Sequence, residues 1–225
     1  MKKDKNYVVV LMIVVLSFLG CSKDDDVYYP TKGLVSYFPF DTDFADKQGY
    51  MTLKSGSASF DVGKLGKAAS FNGINEFLEY NQSSFLNGAN SFTFSCWINS
   101  KQTAKTLVFF ESFDFRFNIF NNKIELVMKT TLEPSFSFLD VEIIPSNWNH
   151  LIVTYDGSIV SIFLNNQLKK SKVKKGIPQI PEFKAFILSK SLFNSFSVWS
   201  GQLDELFVYN RKLEPEEIAR LYNLK

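Results

Sequence analysis

Apolar and polar residues alternate along most of this chain in short runs, and Gly, Asn, Asp and Pro punctuate them. A period of two places successive side chains on opposite faces and marks half-buried strands. The pattern predicts strands over 33–40, 50–53, 68–72, 76–80, 91–98, 105–110, 113–120, 123–129, 136–143, 148–155, 159–164, 185–188 and 201–209. Asn121-Asn122, Asp156-Gly157 and Asn165-Asn166 fall between apolar runs and read as hairpin turns. The clearest alternation is at 113–120. Phe113, Phe115, Phe117 and Ile119 share one face there, and Asp114, Arg116 and Asn118 share the other. One helix is predicted, Pro215–Tyr222. Its proline suits the first helical position, Glu216 and Glu217 suit the positive end of the dipole, and Ile218, Leu221 and Tyr222 form one apolar stripe. Many short strands with a single helix predict an all-β fold of two stacked antiparallel sheets, a β-sandwich.

Composition sharpens this picture. Phenylalanine occurs 24 times in 225 residues, and aromatics reach 16%, enough to fill a wide core between sheets. Apolar residues at 45% and charged residues at 21% are globular proportions. The net charge is +2 and the pI about 8.4, below the strongly basic range of nucleic-acid binders, so no nucleic-acid partner is expected. A single histidine, His150, and two cysteines, Cys21 and Cys96, exclude the common zinc-finger patterns. They also exclude a Ser-His-Asp or Cys-His site unless His150 serves it. Neither GxGxxG nor GxxxxGK[ST] occurs.

The first residues read as an address. MKKDK forms a short basic start, an apolar run extends from Tyr7 to Leu19, and Gly20-Cys21 ends it. That run is too short to span a bilayer comfortably and suits a signal sequence. The segment resembles a bacterial lipoprotein signal, which implies a signal peptide over 1–20 and lipidation at Cys21. The acidic Asp24-Asp25-Asp26 that follows resembles the export signal of Bacteroidetes-type surface lipoproteins. Residues 21–31 are then a lipidated acidic tether, residues 32–225 a single domain, and the expected location is the outer membrane, facing outward. Membrane contact is expected through the lipid alone. Cys96 sits in an alternating strand and reads as a small buried hydrophobe.

Five segments in order resemble the LamG-like (laminin G type 3) domains of the concanavalin A-like lectin/glucanase superfamily. They are GLVSYFPFD at 33–41, GKLGKAASFNG at 63–73, SFTFSCWI at 91–98, WNHLIVTYDG at 148–157 and GQLDELFVYNRKLEPEEI at 201–218. The resemblance implies a jelly-roll sandwich. It also implies calcium as a structural cofactor, held by loop carboxylates; Asp41, Asp43 and Asp46 cluster after the first strand, and with Asp204 they are the candidate metal ligands. The loop after Asp46 lacks the Ser and Asn that the family often carries there.

His150 lies within the family's W-x-H strand and reads as a hydrogen-bonded structural imidazole. Glycoside hydrolysis needs two suitably placed carboxyl groups. Glu111 and Asp114 are three apart, so a strand would turn them to opposite faces, and the adjacent Asp204 and Glu205 diverge as well. No catalytic residues are assigned, and the protein is expected to be no enzyme. Sugar sites pair an aromatic platform with polar side chains. Asp114, Arg116 and Asn118 on the polar face of 113–120, with Trp199 as platform, are the candidate ligand-binding residues. Lys169, Lys170, Lys172, Lys174 and Lys175 crowd one segment and read as a guarded edge strand or as a patch for an acidic polysaccharide or membrane surface. The expected function is non-catalytic recognition of a glycan or polysaccharide at the cell surface. The alternatives are an adhesive protein that contacts protein partners and, more weakly, a glycoside hydrolase-like enzyme.

Overall fold

The period-two pattern resolves into fifteen strands and one helix among the described residues. The computed structural model describes residues 28–81, 86, 88–101, 106–135, 137–179, 185–191 and 198–225, and the side chains of 137 and 138 are not among them. The expected signal peptide, the lipidation site Cys21 and residues 22–27 of the tether lie outside the described residues. The strands are β1 (Leu34–Phe38), β2 (Leu53–Ser57), β3 (Ser59–Val62), β4 (Lys67–Asn72), β5 (Phe77–Tyr80), β6 (Phe92–Ser100), β7 (Leu107–Glu111), β8 (Arg116–Phe120), β9 (Lys123–Met128), β10 (Ser137–Glu142), β11 (Trp148–Tyr155), β12 (Ile159–Leu164), β13 (Gln167–Val173), β14 (Phe186–Leu188) and β15 (Ser200–Tyr209). The helix α1 spans Pro215–Tyr222, as its periodicity predicts.

Two antiparallel sheets form a jelly-roll sandwich. One runs β13-β12-β11-β6-β15-β4-β3, with β1 also paired to β15, and the other runs β10-β9-β8-β7-β14-β5-β2. Three hairpins turn where the sequence places them. Asn121, Asn122, Asn165 and Asn166 all adopt positive φ, the conformation that primed two-residue turns require. At Asp156-Gly157 the aspartate Oδ1 accepts the N–H groups of Ser158 and Ile159.

Between the sheets lies an aromatic core. Phe92 and Phe94 of β6 meet Phe110, Phe115 and Phe117 of the opposite sheet, with ring centroids 4.7–5.7 Å apart across Phe92–Phe115, Phe94–Phe110, Phe94–Phe117 and Phe94–Phe115. Cys96 is fully buried in the same core, and burial pushes its thiol well above the usual range.

The outer face of the first sheet is covered too. Helix α1 packs Ile218 and Leu221 with Leu213 onto Ile152, Phe207 and Tyr209. The cover explains why β6 and β11 are buried at nearly every residue instead of at alternate ones. Glu217 anchors the helix start; its carboxylate accepts the Glu214 N–H and both outer nitrogens of Arg211. His150 lies beneath this helix, against the rings of Trp97 and Tyr222, with Nε2 3.0 Å from the Ser95 hydroxyl. Burial first, and then the charge of Lys64, lower its pKa to about 3, so the imidazole is neutral and structural.

β15 changes partner midway. Its first half pairs with β4 and its second half with β1, and β6 pairs with both halves around a bulge between Asp204 and Phe207. At the bulge Glu205 takes positive φ. A bulge inserts a residue and re-aims side chains. Asp204 accepts the N–H groups of Leu65 and Glu205, and the Tyr37 hydroxyl donates to Glu205 over 2.9 Å. Both carboxyls are buried. Burial raises Asp204 to about 7; burial and then the charge of Asp204 raise Glu205 to about 8.

The pattern misses three strands. β2, β3 and β13 are exposed along nearly their whole length; β2 and β13 carry no apolar alternation, β3 offers only Phe60 and Val62 in four residues, and the expected strand at 50–53 begins instead at Leu53. These edge strands are held by backbone pairing, which leaves no mark in side-chain hydropathy.

Two outcomes are expected. Leu221→Ala should cost about 2–5 kcal/mol by urea unfolding, since it empties a packed site under the helix. The exposed change Glu216→Ala should stay within about 0.5 kcal/mol; equal effects would contradict the helix docking. The second concerns pH. Raised folded-state pKa values make the Asp204–Glu205 contribution complete below the unfolded carboxylate range and lose it as pH rises through 7 and 8. The lowered His150 pKa acts oppositely, and its contribution is lost as pH falls from about 6.5 towards 3. The unfolding midpoint should therefore drop between pH 6 and pH 9, and Glu205→Gln should flatten that limb; a flat wild-type limb would overturn the assignment.

Candidate functional site

Among the described residues no helix covers the outer face of the second sheet, and across β8, β9 and β10 that face presents a polar row. Register sets Asn118, Glu125 and Asp140 side by side, with Phe120, Lys123 and Glu142 in the next row. The Asn118 amide donates to Glu125 Oε2 over 2.9 Å. Lys123 Nζ stands 3.3 Å from Asp140, and Lys170 of the other sheet also binds that carboxylate. These ammonium partners, Lys170 foremost, hold Asp140 below the usual carboxylate range. Thr106, Asn118, Phe120, Lys123, Glu125 and Asp140 enclose an open cavity of about 200 Å³. The Phe120 ring is 42% exposed beside it. An apolar ring next to an amide, two carboxylates and an ammonium can meet both the C–H face and the hydroxyl edge of a sugar.

Of the four ligand-binding residues expected from sequence, the structure brings only Asn118 to this cavity. Asp114 is buried, because Ser112 tightens the turn before β8; its hydroxyl donates to the Phe115 carbonyl and accepts the Asp114 N–H. The alternation therefore begins at Arg116, and Phe113 is only half-buried. Arg116 is half-buried at the register position between Glu111 and Val127. Trp199 is no platform. It is fully buried, packed between Phe71 and Phe109, and its Nε1 donates to Ser100 Oγ. The space between the sheets is wide enough to take a large ring, and burial there outweighs exposure. Phe120 and Lys123 were missed, although Phe120 carries a readable signal: it is an apolar residue at the polar parity of the 113–120 alternation.

The four expected metal ligands do not converge. Asp46 accepts four backbone N–H groups, from Tyr37, Gln48, Tyr50 and Met51. Asp43 binds the Ala45 N–H and Lys47. Asp41 accepts the Lys67 N–H, and Asp204 lies buried at the β15 bulge. Their lone pairs organise loops, and among the described residues no three His, Cys, Asp or Glu side chains are grouped to hold one ion. The carboxylates do not fit calcium in this arrangement.

Two other hollows differ in chemistry. Thr42, Asp43, Phe44, Ala45, Asp46, Met51, Thr52, Leu53 and Phe60 line an open groove of about 470 Å³, where Phe44 stacks on Phe60 at 4.5 Å. Its walls are mainly apolar. On the first sheet, Asp61, Ser70, Asn99, Lys101, Ser146 and Gln202 surround about 180 Å³ with no exposed ring, Phe71 being buried.

Comparison with known proteins fits this architecture. No match is found among the curated proteins. Among solved structures, the binding domain of Paraclostridial Mosquitocidal Protein 1 superposes with a TM-score of 0.71 at 16% identity, over 85% of this chain and 52% of that one. Domain 4 of AbnA, a GH43 extracellular arabinanase from Geobacillus stearothermophilus solved with arabinotriose, gives 0.67 at 23% identity, over 84% and 98%. The binding domain of Botulinum Neurotoxin serotype G gives 0.68 at 16%, over 84% and 50%. The chain thus spans about half the length of the toxin domains and nearly all of the arabinanase domain. At these identities the likeness speaks for the fold. A family model described as concanavalin A-like lectin/glucanases superfamily matches residues 72–219, more than half of the chain. The order of motifs, the two antiparallel sheets and this match lead to one conclusion: the chain belongs to the laminin G type 3 family of that superfamily.

Proposed function

We propose that this protein is a non-catalytic carbohydrate-binding protein whose ligand lies on the outer face of β8, β9 and β10. One observation carries the reading: an exposed ring, Phe120, borders a cavity whose remaining walls are hydrogen-bonding side chains. The arabinanase domain of the same fold, solved with arabinotriose, supports a sugar as ligand. Glu125 and Asp140 stand side by side there, the one carboxyl pair of this cavity, and hydrolysis would need such a pair. A general acid needs a carboxyl held above its usual range; Lys170 and Lys123 hold Asp140 below it, which takes Asp140 out of that role. The signal-like start and Gly20-Cys21 support anchoring by a lipid at the outer membrane, and the acidic residues after Cys21 support outward display. Among the described residues no helix is long and apolar enough to cross a membrane.

A second reading, adhesion to a protein partner, draws on the apolar groove around Phe44, Leu53 and Phe60. The two readings separate by mutation. The purified full chain is titrated with a panel of plant, bacterial and host polysaccharides, with and without EDTA. Phe120→Ala and Asn118→Ala should each weaken glycan binding about tenfold or more, equivalent to ~1.4 kcal/mol, and at the exposed position, Phe120→Ala, the thermal midpoint should stay unchanged. EDTA should leave binding intact, since the carboxylates are committed to loops. Loss of binding from Phe60→Ala, with Phe120→Ala silent, would move the site to the apolar groove.

A further inference from the structure

The geometry points to a uronic acid-containing polysaccharide as the ligand class, with its carboxylates received by the lysines along the β10–β13 edge. This rests on the glycan reading above and deepens it. The Phe120 cavity does not end at Asp140. A second hollow of about 340 Å³ shares Lys123 and Asp140 with it and continues past Val141 and Glu142 to Lys169 and Lys170. A sugar bound at Phe120 would therefore extend its next residues towards β13.

That strand is a free edge of the first sheet and is exposed throughout. Lys170 and Lys172 stand opposite Ile162 and Val160, whose side chains enter the core. Paired residues share a face, so both lysines leave β13 on the side of the gap between the sheets, towards β10. Lys170 already binds a carboxylate there, that of Asp140. Lys123 approaches two, those of Asp140 and Glu142, at 3.3 and 3.9 Å. The lysines of the hollow thus already receive carboxylates, those of Asp140 and Glu142.

Its own acids do not use up its positive charge. Asp140 and Glu142 are set against Lys123 and Lys170. Lys169 bonds only the neutral Gln167 side chain, and Lys172, on the same side as Lys170, has no acidic partner among the described residues. Lys169 therefore lines the extension without an acidic partner among the described residues, and Lys172 stands two residues beyond Lys170 on the same side of β13. Lys174 belongs elsewhere: it is buried and donates to the Glu133 and Ser135 carbonyls, closing the sandwich edge.

The test uses the full chain and matched ligands. Alginate, polygalacturonate and hyaluronan oligosaccharides are titrated calorimetrically, each beside its carboxyl-reduced form, with neutral arabinan and xylan in the same series. At least one acidic oligosaccharide should bind about tenfold tighter than its reduced form, and added salt should erase the difference. The double variant Lys169→Ala/Lys172→Ala should lose that preference with an unchanged thermal midpoint. Equal binding of acidic and reduced forms, or binding of neutral glycans alone, would overturn the inference and leave the glycan reading standing. No binding to any polysaccharide would overturn both.

Discussion

The packing of aromatic rings across the gap between the sheets governs the rest of the molecule. Phe94 of β6 touches Phe110, Phe115 and Phe117, which belong to β7, the β7–β8 turn and β8. Those contacts fix which face of β8 points inward. Once Phe117 and Ile119 are committed to the core, period two sends Asn118 and Phe120 to the outer face. A slip of one residue would bury the polar row and expose the rings. The binding surface is therefore a consequence of the core, held in place by side chains that never meet the ligand.

The same constraint explains the two tryptophans that stay inside. Trp199 completes the core beyond Phe109 and lies so close under Gly201 that a Cβ there would stand 2.2 Å from its ring. Trp97 faces the other way and is enclosed with His150 and Tyr222 beneath α1. The helix lets β6, β11 and β15 be buried on both sides, and the bulge at Asp204-Glu205 lets β15 change partner from β4 to β1 without breaking its contact with β6. Two carboxyls are buried at that bulge, where they bind backbone N–H groups and a tyrosine hydroxyl, far from the work of a site.

Much of the fold was legible in the sequence. Hydrophobic alternation located most core strands, the Asn-Asn turns fixed two hairpins, and proline with its following glutamates fixed the helix. β2, β3 and β13 were illegible because nearly all their side chains are exposed and no buried face marks them. The site was only partly legible. Asn118 follows from parity, but Asp114 does not, since the Ser112 turn interrupts the strand before it. Trp199 misled because exposure is decided by the width of the gap between sheets, a tertiary quantity. Asp140 and Lys170 lie 30 residues apart, and nothing local announces that two sheet edges bring them together. Asp41, Asp43 and Asp46 form a cluster in sequence, yet each is claimed by a different backbone segment.

The ligand is assigned to the outer face of β8, β9 and β10. The most direct measurement is chemical-shift mapping of the isotopically labelled full chain, titrated with an oligosaccharide that binds it. The largest changes should fall on the Asn118 side-chain amide, the Phe120 ring and the backbone of Lys123, fading towards β13. Changes centred on Phe44, Leu53 and Phe60, or on Asn99 and Gln202, with the Asn118 and Phe120 signals unmoved, would contradict it.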